Sequence, residues 1–483
     1  MLISKRKLRL ALLCVSLVAI VFLIIDAVIE LHLNNEFKYY KTFFQRHQGG
    51  LQGVYDPLNV KQIPAETIME LRDSALDRTR EDPTYISWNK FAYVNYVADS
   101  EYLCNTLIQF EKLKQSGTEA KLVLLISDRL LDDKHSEIDI TRRRLDVLKN
   151  LGQDQVVIKP IQNIVKPKDS TPWHNSFTKL LVFNQTEFER VVYLDNDAIL
   201  HDNLDELFFL PNNITFAAPL AYWFLSPGDI EKGYKDIQKE KGSSNSLKRY
   251  VTDLELRVKK GVSLYNFLPN LPTSLYLDAK NVAKDMMQSS GSASPLFKLR
   301  RGKKAIKAKF ASNLMVIKPN EKTFRTISEK LIPRALKKKD QYDMDLINDE
   351  LYNLRKIVYQ QFKLFRKVNT EFKPQILVLP YAKYGMLTGS IRKYSHHALL
   401  ADDIIGYERK VTGKLKSLRE IVEDSKYIHF SDYPIAKPWH YKSPKDLECK
   451  LDEQDKDKFS EKDVCQVWTS VYEEYLDARK ICQ

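Results

Sequence analysis

The chain is 483 residues long, with 43% hydrophobic and 29% charged residues and a formal net charge of +13. That balance is the composition of a folded globular protein and excludes a disordered one. The five cysteines match no zinc-binding spacing, and the length leaves room for roughly two or three domains.

The N-terminus opens with Lys5, Arg6, Lys7 and Arg9, followed by an apolar run from Leu10 to Ile25. Asp26 interrupts the run and Ala27-Val28-Ile29 continues it. This approaches the length needed to cross about 30 Å of hydrocarbon. A cleaved signal peptide is the competing reading, but Glu30-Leu31-His32-Leu33-Asn34 offers no small-residue cleavage pattern. The expectation is a cytosolic tail over 1–9, a transmembrane signal anchor over 10–29 and a lumenal body, because the positive charge precedes the span. Two Asn-x-Thr sequons, at Asn184 and Asn213, are compatible with a lumenal body. Cys14 falls in the span, Cys104 reads as a small buried apolar residue, and an oxidising lumen permits a disulfide among Cys449, Cys465 and Cys482.

Residues 30–84 are polar with helical patches such as 65–80, and they read as a stalk. A domain over 85–442 follows, in which short apolar runs alternate with helical spacing, the signature of an α/β fold. Strands are predicted at 91–97, 121–126, 155–158 and 191–194, and helices at 102–114, 140–150 and 175–183. Fully apolar strands suit a largely parallel sheet covered on both faces. From 226 to 309 the chain is rich in Gly, Ser and Lys with broken helices, an insertion near the site. Strands return at 314–317, 375–379 and 427–430, with a long helical stretch over 343–368 between them. Residues 443–483 read as an acidic turn and a helical extension over 464–479. The basic cluster from Lys298 to Lys309 would attract polyanions, though a solvated loop is the simpler account. No nucleic-acid-binding motif is present.

The chemistry centres on Arg190-Val-Val-Tyr-Leu-Asp195-Asn196-Asp197. A hydrophobic strand runs into two carboxylates two apart, which extended backbone points the same way. At the carboxyl end of a parallel strand they would face the crevice where open α/β sheets bind ligands. Two adjacent carboxylates repel unless a proton or cation lies between them; a hard divalent cation would do this and also neutralise a diphosphate. Alone, Asp-x-Asp is as often an ordinary acidic turn. Lys179, on the helix before that strand, could reach a phosphate or be a plain surface lysine. His429 ends a strand and could offer a nitrogen to a metal, and Lys437-Pro-Trp439 follows it.

In this order the motifs resemble glycosyltransferase family 8, the glycogenin-like retaining enzymes, from Phe91 to Trp439. Nearer still are the fungal α-1,2-N-acetylglucosaminyltransferases, through Lys90-Phe-Ala-Tyr-Val-Asn-Tyr-Val97, Tyr193 to Leu200, Phe310-Ala-Ser-Asn-Leu-Met-Val316, Tyr342 to Asn348 and His429-Phe-Ser-Asp-Tyr-Pro434. The resemblance implies a GT-A fold, a Rossmann-like α/β domain with a mixed, mainly parallel sheet and helices on both faces. It implies that Tyr96, Ala98 and Tyr102 line the nucleoside, that Lys179 lies near the sugar and phosphates, and that Asn196 approaches the ribose. Asp195, Asp197 and His429 would hold Mn2+, Ser312 and Asn313 would border the donor sugar, Asp340 and Asp343 would be the acids near the transferred sugar, and Lys437 would touch the pyrophosphate. The partners so implied are UDP-GlcNAc and a mannosylated glycan acceptor, the place is the Golgi membrane, and nucleic acid is excluded. Departures occur at Met344, where relatives carry Gln, at Ala311, where glycogenin has Asn, and in a longer spacing from His429 to Lys437. A glucosyl- or galactosyltransferase of the same family and a catalytically silent lumenal glycan-binding protein are the rival readings.

Overall fold

The computed structural model describes residues 13–25, 27–28, 60–271, 308–354, 375–400 and 416–482, apart from 153, 172, 242–243, 270, 433–434, 442, 444–446, 454 and 459. Strands β1 (Phe91–Val97), β2 (Lys121–Ser127), β3 (Val156–Ile161) and β4 (Arg190–Leu194) run parallel in the order β3-β2-β1-β4. Strand β5 (Ala198–Leu200) leaves this sheet, while β6 (Phe216–Ala218), β7 (Leu314–Ile317) and β8 (Ile376–Val378) extend it as β4-β7-β6-β8. Only β7 runs antiparallel to its neighbours, so the sheet is mixed and mainly parallel. Strand β9 (Met386–Leu387) and strand β10 (Tyr427–His429) join β5 in a second sheet, ordered β5-β10-β9.

Every residue of β4 is buried, as are Leu122 to Ile126 of β2, because side chains on both faces meet helices. One face carries Tyr93, Val97, Leu122, Leu124 and Val192 against Leu103, Leu107 and Phe110 of α2 (Ser100–Gln115). The other carries Val94, Val123, Leu125, Val191 and Tyr193 against Phe177 and Leu180. Asp99 caps α2 by accepting from the backbone of Glu101.

Several expectations change. The expected stalk is part of the domain from residue 60 onward: Ile63 N donates to Val378 O and Val378 N to Lys61 O, which covers the β8 edge. Helix α1 (Ala65–Glu81) then buries Ile68 against Leu254 and Val258 of the later helix Ser244–Lys259. Residues 30–59 lie outside the described residues. The insertion begins with two unbroken helices, Pro227–Lys241 and Ser244–Lys259, and the basic cluster lies outside the described residues except for its end at 308–309. The stretch 175–183 winds as a 3-10 helix, Ser176–Asn184. The long helix expected from 343 is α-helical only over Asp343–Leu346, turns π-helical over Ile347–Leu351 and breaks at Tyr352, with 355–374 outside the described residues.

The C-terminal helix, Glu461–Ala478, is not an appendage either. Val464, Val467, Trp468, Val471, Tyr472 and Tyr475 are buried in the same cluster as Val191 and Met315. Cys104 is not a lone apolar residue: it pairs with Cys482, and Cys449 pairs with Cys465. Among the described residues no helix is long and apolar enough to cross a membrane. Residues 13–25, inside the expected anchor, are helical with Leu13, Val15, Leu17, Ile20 and Leu23 all exposed.

Since the Cys104–Cys482 bridge spans 378 residues and Cys449–Cys465 only 16, the first constrains the unfolded chain more. Cys104→Ala/Cys482→Ala should lose about 2–4 kcal/mol of stability, and more than Cys449→Ala/Cys465→Ala. Urea midpoints of the two double variants check the order.

Candidate active site

The Asp195-Asn196-Asp197 segment is the crossing between the two sheets. Strand β4 ends at Leu194, and Asp195 N still donates to Asn313 O at 2.8 Å. By Ala198 the chain is already in β5, paired with His429 of β10. Phe430 N closes the corner by donating to Asp197 O at 2.8 Å. Gln109, from α2, fixes the crossing from beneath, its amide donating to the carbonyls of Asp195 and Ala198, both at 2.9 Å. Asn95 of β1 in turn donates to Gln109 Oε1 and to Leu194 O.

The register of β10 on β5 delivers the histidine. His429 Nε2 lies 2.8 Å from Asp197 Oδ1, and Lys437 Nζ donates to Asp197 Oδ2 at 2.7 Å from 240 residues further along the chain. On the other carboxylate, Tyr193 donates its hydroxyl to Asp195 Oδ1 at 2.7 Å and Lys179 Nζ donates to Oδ2 at 2.9 Å. Lys179 also lies 3.3 Å from Asp343 Oδ2, which accepts from Ser312 Oγ at 2.9 Å.

These surroundings push the two carboxylates apart in acidity. Burial raises the pKa of Asp195, with Lys179 opposing and Asp197 adding to the rise. Burial acts the same way on Asp197, but His429 and Lys437 prevail and hold it well below the usual carboxylate range. Burial works against the charge of Lys179, yet Asp195 and Asp343 raise it above the ordinary ammonium value. The pocket therefore holds matched charges of both signs.

Ligand atoms of Asp195, Asp197 and His429 lie within 4.8 Å of one another. A divalent cation sits about 2.0–2.6 Å from its oxygen ligands, so the triangle is near the span that an ion bridges. The donor set, two carboxylates and an imidazole, fits such an ion. His429 Nδ1 is buried with no hydrogen-bond partner among the described residues, and Nε2 is the nitrogen that faces Asp197.

The remaining expected residues divide. Tyr96 and Ala98 are half-buried at the carboxyl end of β1, beside β4; Tyr96 donates to Asn163 Oδ1 at 3.3 Å, and burial pushes its hydroxyl up to about 12. Tyr102 meets the ring of Trp439 edge-on at 5.4 Å; burial and then the charges of Asp197 and Asp195 raise its pKa. Asn313 borders the crossing, its Oδ1 accepting from Leu314 N and its buried Nδ2 without a partner among the described residues. Two expectations are not met. Asn196 is buried with its amide turned to Tyr102 O and Thr106 Oγ1, so it anchors α2. Asp340 is exposed and stands outside the cluster that holds Asp343.

Sequence reasoning missed the supports. Tyr193 was visible in principle, two positions before Asp195 on the same strand face. The role of Asp432 was not. The residue is buried between His429 and Lys437, accepting from Arg392 Nε at 2.9 Å, from Trp468 Nε1 and from Tyr472 OH at 3.3 Å. Gly389 is required beside it, because a Cβ there would lie 2.6 Å from Ser431 O. Arg392 and the C-terminal helix thus hold the segment between His429 and Lys437.

Fold and site together define an α/β glycosyltransferase, with paired carboxylates where a strand leaves the sheet. No family model matches the chain. It is, however, 51% identical to glucose N-acetyltransferase 1 of Saccharomyces cerevisiae over 100% of this chain and 99% of that protein. It is 49% identical to the protein of that name in Candida glabrata, over 100% of this chain and 97% of the other. The chain belongs to the glucose N-acetyltransferase 1 family, and it is a hexosyltransferase. Glycogenin of Neurospora crassa shares 29% identity over 27% of the chain and 18% of its own length. Among solved structures, the galactosyltransferase LgtC covers 78% of this chain and 95% of its own at 12% identity and a TM-score of 0.36, a distant likeness.

Asp432→Asn removes the charge that Arg392 faces while keeping the shape. Substitutions behind metal ligands typically lower affinity about 10–100-fold. A fall of that size in divalent-cation affinity, with unchanged circular dichroism, is expected by calorimetric titration; an unaltered titration would show that the loop holds itself.

Proposed function

We propose that the chain is a type II Golgi membrane protein that transfers N-acetylglucosamine from UDP-GlcNAc to terminal mannose of N-glycan or mannan chains, with retention and with Mn2+. One observation carries this reading: Asp195, Asp197 and His429 converge within 4.8 Å at the sheet crossing, flanked by Lys179 and Lys437, in a chain 51% identical to glucose N-acetyltransferase 1.

Asp195, Asp197 and His429 would hold the ion. When bound, it would tie the diphosphate to the site and offset the charge that builds up on departing UDP. Lys437, already beside Asp197, adds positive charge where the leaving phosphate must lie. Tyr96, Ala98 and Tyr102 form the nucleoside side, at the carboxyl end of β1. Ser312 and Asn313 border the sugar. Asp343 presents its carboxylate to the oxocarbenium-like sugar, held by Ser312 and Lys179. Because Asp340 is exposed, Asp343 is the acid of the pair at the reacting centre.

The anchor reading rests on Lys5, Arg6, Lys7 and Arg9 ahead of residues 13–25, whose apolar side chains are exposed. Two disulfides in the folded chain favour an oxidising compartment.

Asp195→Ala and Asp197→Ala should each lower transfer by at least about 10²–10³-fold, measured with a panel of UDP-sugars with and without Mn2+. Full activity in either variant would sink the metal assignment. Preference for UDP-glucose or UDP-galactose would move the donor assignment, and absence of transfer with every donor would favour a glycan-binding role. Orientation is checked separately at Asn213, the exposed asparagine of the Asn213-Ile214-Thr215 sequon. Full-length protein from a eukaryotic host should shift on treatment with peptide N-glycosidase, and Asn184→Gln/Asn213→Gln should abolish the shift.

A further inference from the structure

Trp173 is 61% exposed, against 39% for Trp223. A lone exposed apolar side chain normally needs no explanation. Here the surroundings supply one. The loop that carries Trp173 is closed on itself: Lys166 N donates to His174 O at 2.8 Å, and His174 N donates to Thr171 O at 3.2 Å. Thr171 N donates to Asp169 Oδ1 at 2.9 Å. The indole is displayed by a hydrogen-bonded loop.

That loop is fastened to the reacting end of the pocket. The indole lies 5.8 Å from the ring of Tyr342, tilted by 60°. Tyr342 is the residue before Asp343, and Asp343 N donates to Ser176 Oγ at 3.4 Å, just after the loop. Lys166, almost fully buried, places its ammonium 4.2 Å from the centre of the Tyr342 ring and donates to the carbonyls of Lys339 and Gln341. One buried lysine thus locks the Tyr342 segment to the Trp173 loop. The result is a pair of aromatic rings, one of them mostly exposed, next to Asp343.

We infer that Trp173, seated on Tyr342, is a binding platform for a pyranose ring of the glycan acceptor. A pyranose has one face of C–H groups, and a large rigid aromatic offers matching apolar area at little conformational cost. Trp173 meets Tyr342, beside Asp343, whereas Tyr102, on the proposed nucleoside side, meets Trp439. The inference rests on the transferase reading for the identity of the sugar, but not for the existence of the platform.

The test compares wild type with Trp173→Ala and Trp173→Phe in the folded, full-length protein. Transfer to α-linked mannotriose should show a KM for the acceptor raised about tenfold in Trp173→Ala. The KM for UDP-GlcNAc and its acceptor-free hydrolysis should be unchanged, and Trp173→Phe should recover part of the loss. Calorimetric titration with mannotriose, without donor, should show the same order of affinities. Equal acceptor KM and equal mannotriose affinity in Trp173→Ala would overturn the platform, as would a matching change in donor KM or hydrolysis, or no mannotriose binding by wild type. If wild type transfers no sugar but its mannotriose affinity still depends on Trp173, the platform stands and the transferase reading falls.

Discussion

Three carboxylates, Asp195, Asp197 and Asp343, share one partly buried pocket, and the rest of the site is arranged around their mutual repulsion. Like charges in such surroundings are tolerable only if cations are fixed among them. Lys179 stands between Asp195 and Asp343, and His429 and Lys437 both face Asp197. None of these three comes from the strand that carries the Asp-x-Asp segment. Lys179 arrives from the 3-10 turn before β4, His429 from the second sheet, and Lys437 from the loop beyond it. The small sheet β5-β10-β9 is the device that brings the last two to the corner, since β5 starts one residue after Asp197 and its register with β10 sets where His429 falls.

The segment that runs from His429 to Lys437 would drift unless something held it. Asp432 does so from inside, by way of Arg392, Trp468 and Tyr472. The C-terminal segment has the same role at α2, where Tyr475 donates to Asn105 Oδ1 and Cys482 is joined to Cys104. The chain end therefore clamps both walls of the pocket.

What the sequence revealed follows the range of the signal. Strands β1, β2, β4 and β7 were legible because each is an unbroken apolar run, the mark of burial on both faces, and Asp195 and Asp197 were legible because strand and carboxylates adjoin. Residues 60–81 misled, since α1 is rich in charge and its buried face, Ala65, Thr67, Ile68 and Ala75, meets partners far away in the sequence. Cys104 and Cys482 misled for the same reason, their partnership being set by folding across the whole domain. The side chain of Asn196 could not be oriented from sequence, because the donor-facing and the helix-facing positions differ by one rotation at the crossing. Asp432 stood inside the quoted His429 to Pro434 motif, but its role did not, because it lies in three partners brought from two distant elements.

The two halves of the pocket are built by different means. The wall at Asp195 and Asp197 is set by strand ends and by backbone hydrogen bonds of both sheets, so a change there disturbs the ladder itself. The wall around Trp173 and Tyr342 is set by one closed loop and one buried lysine stacked on a ring. Changes at the displayed positions of that loop can therefore leave the carboxylates, His429 and Lys437 in place. The two walls meet where Asp343 N donates to Ser176 Oγ.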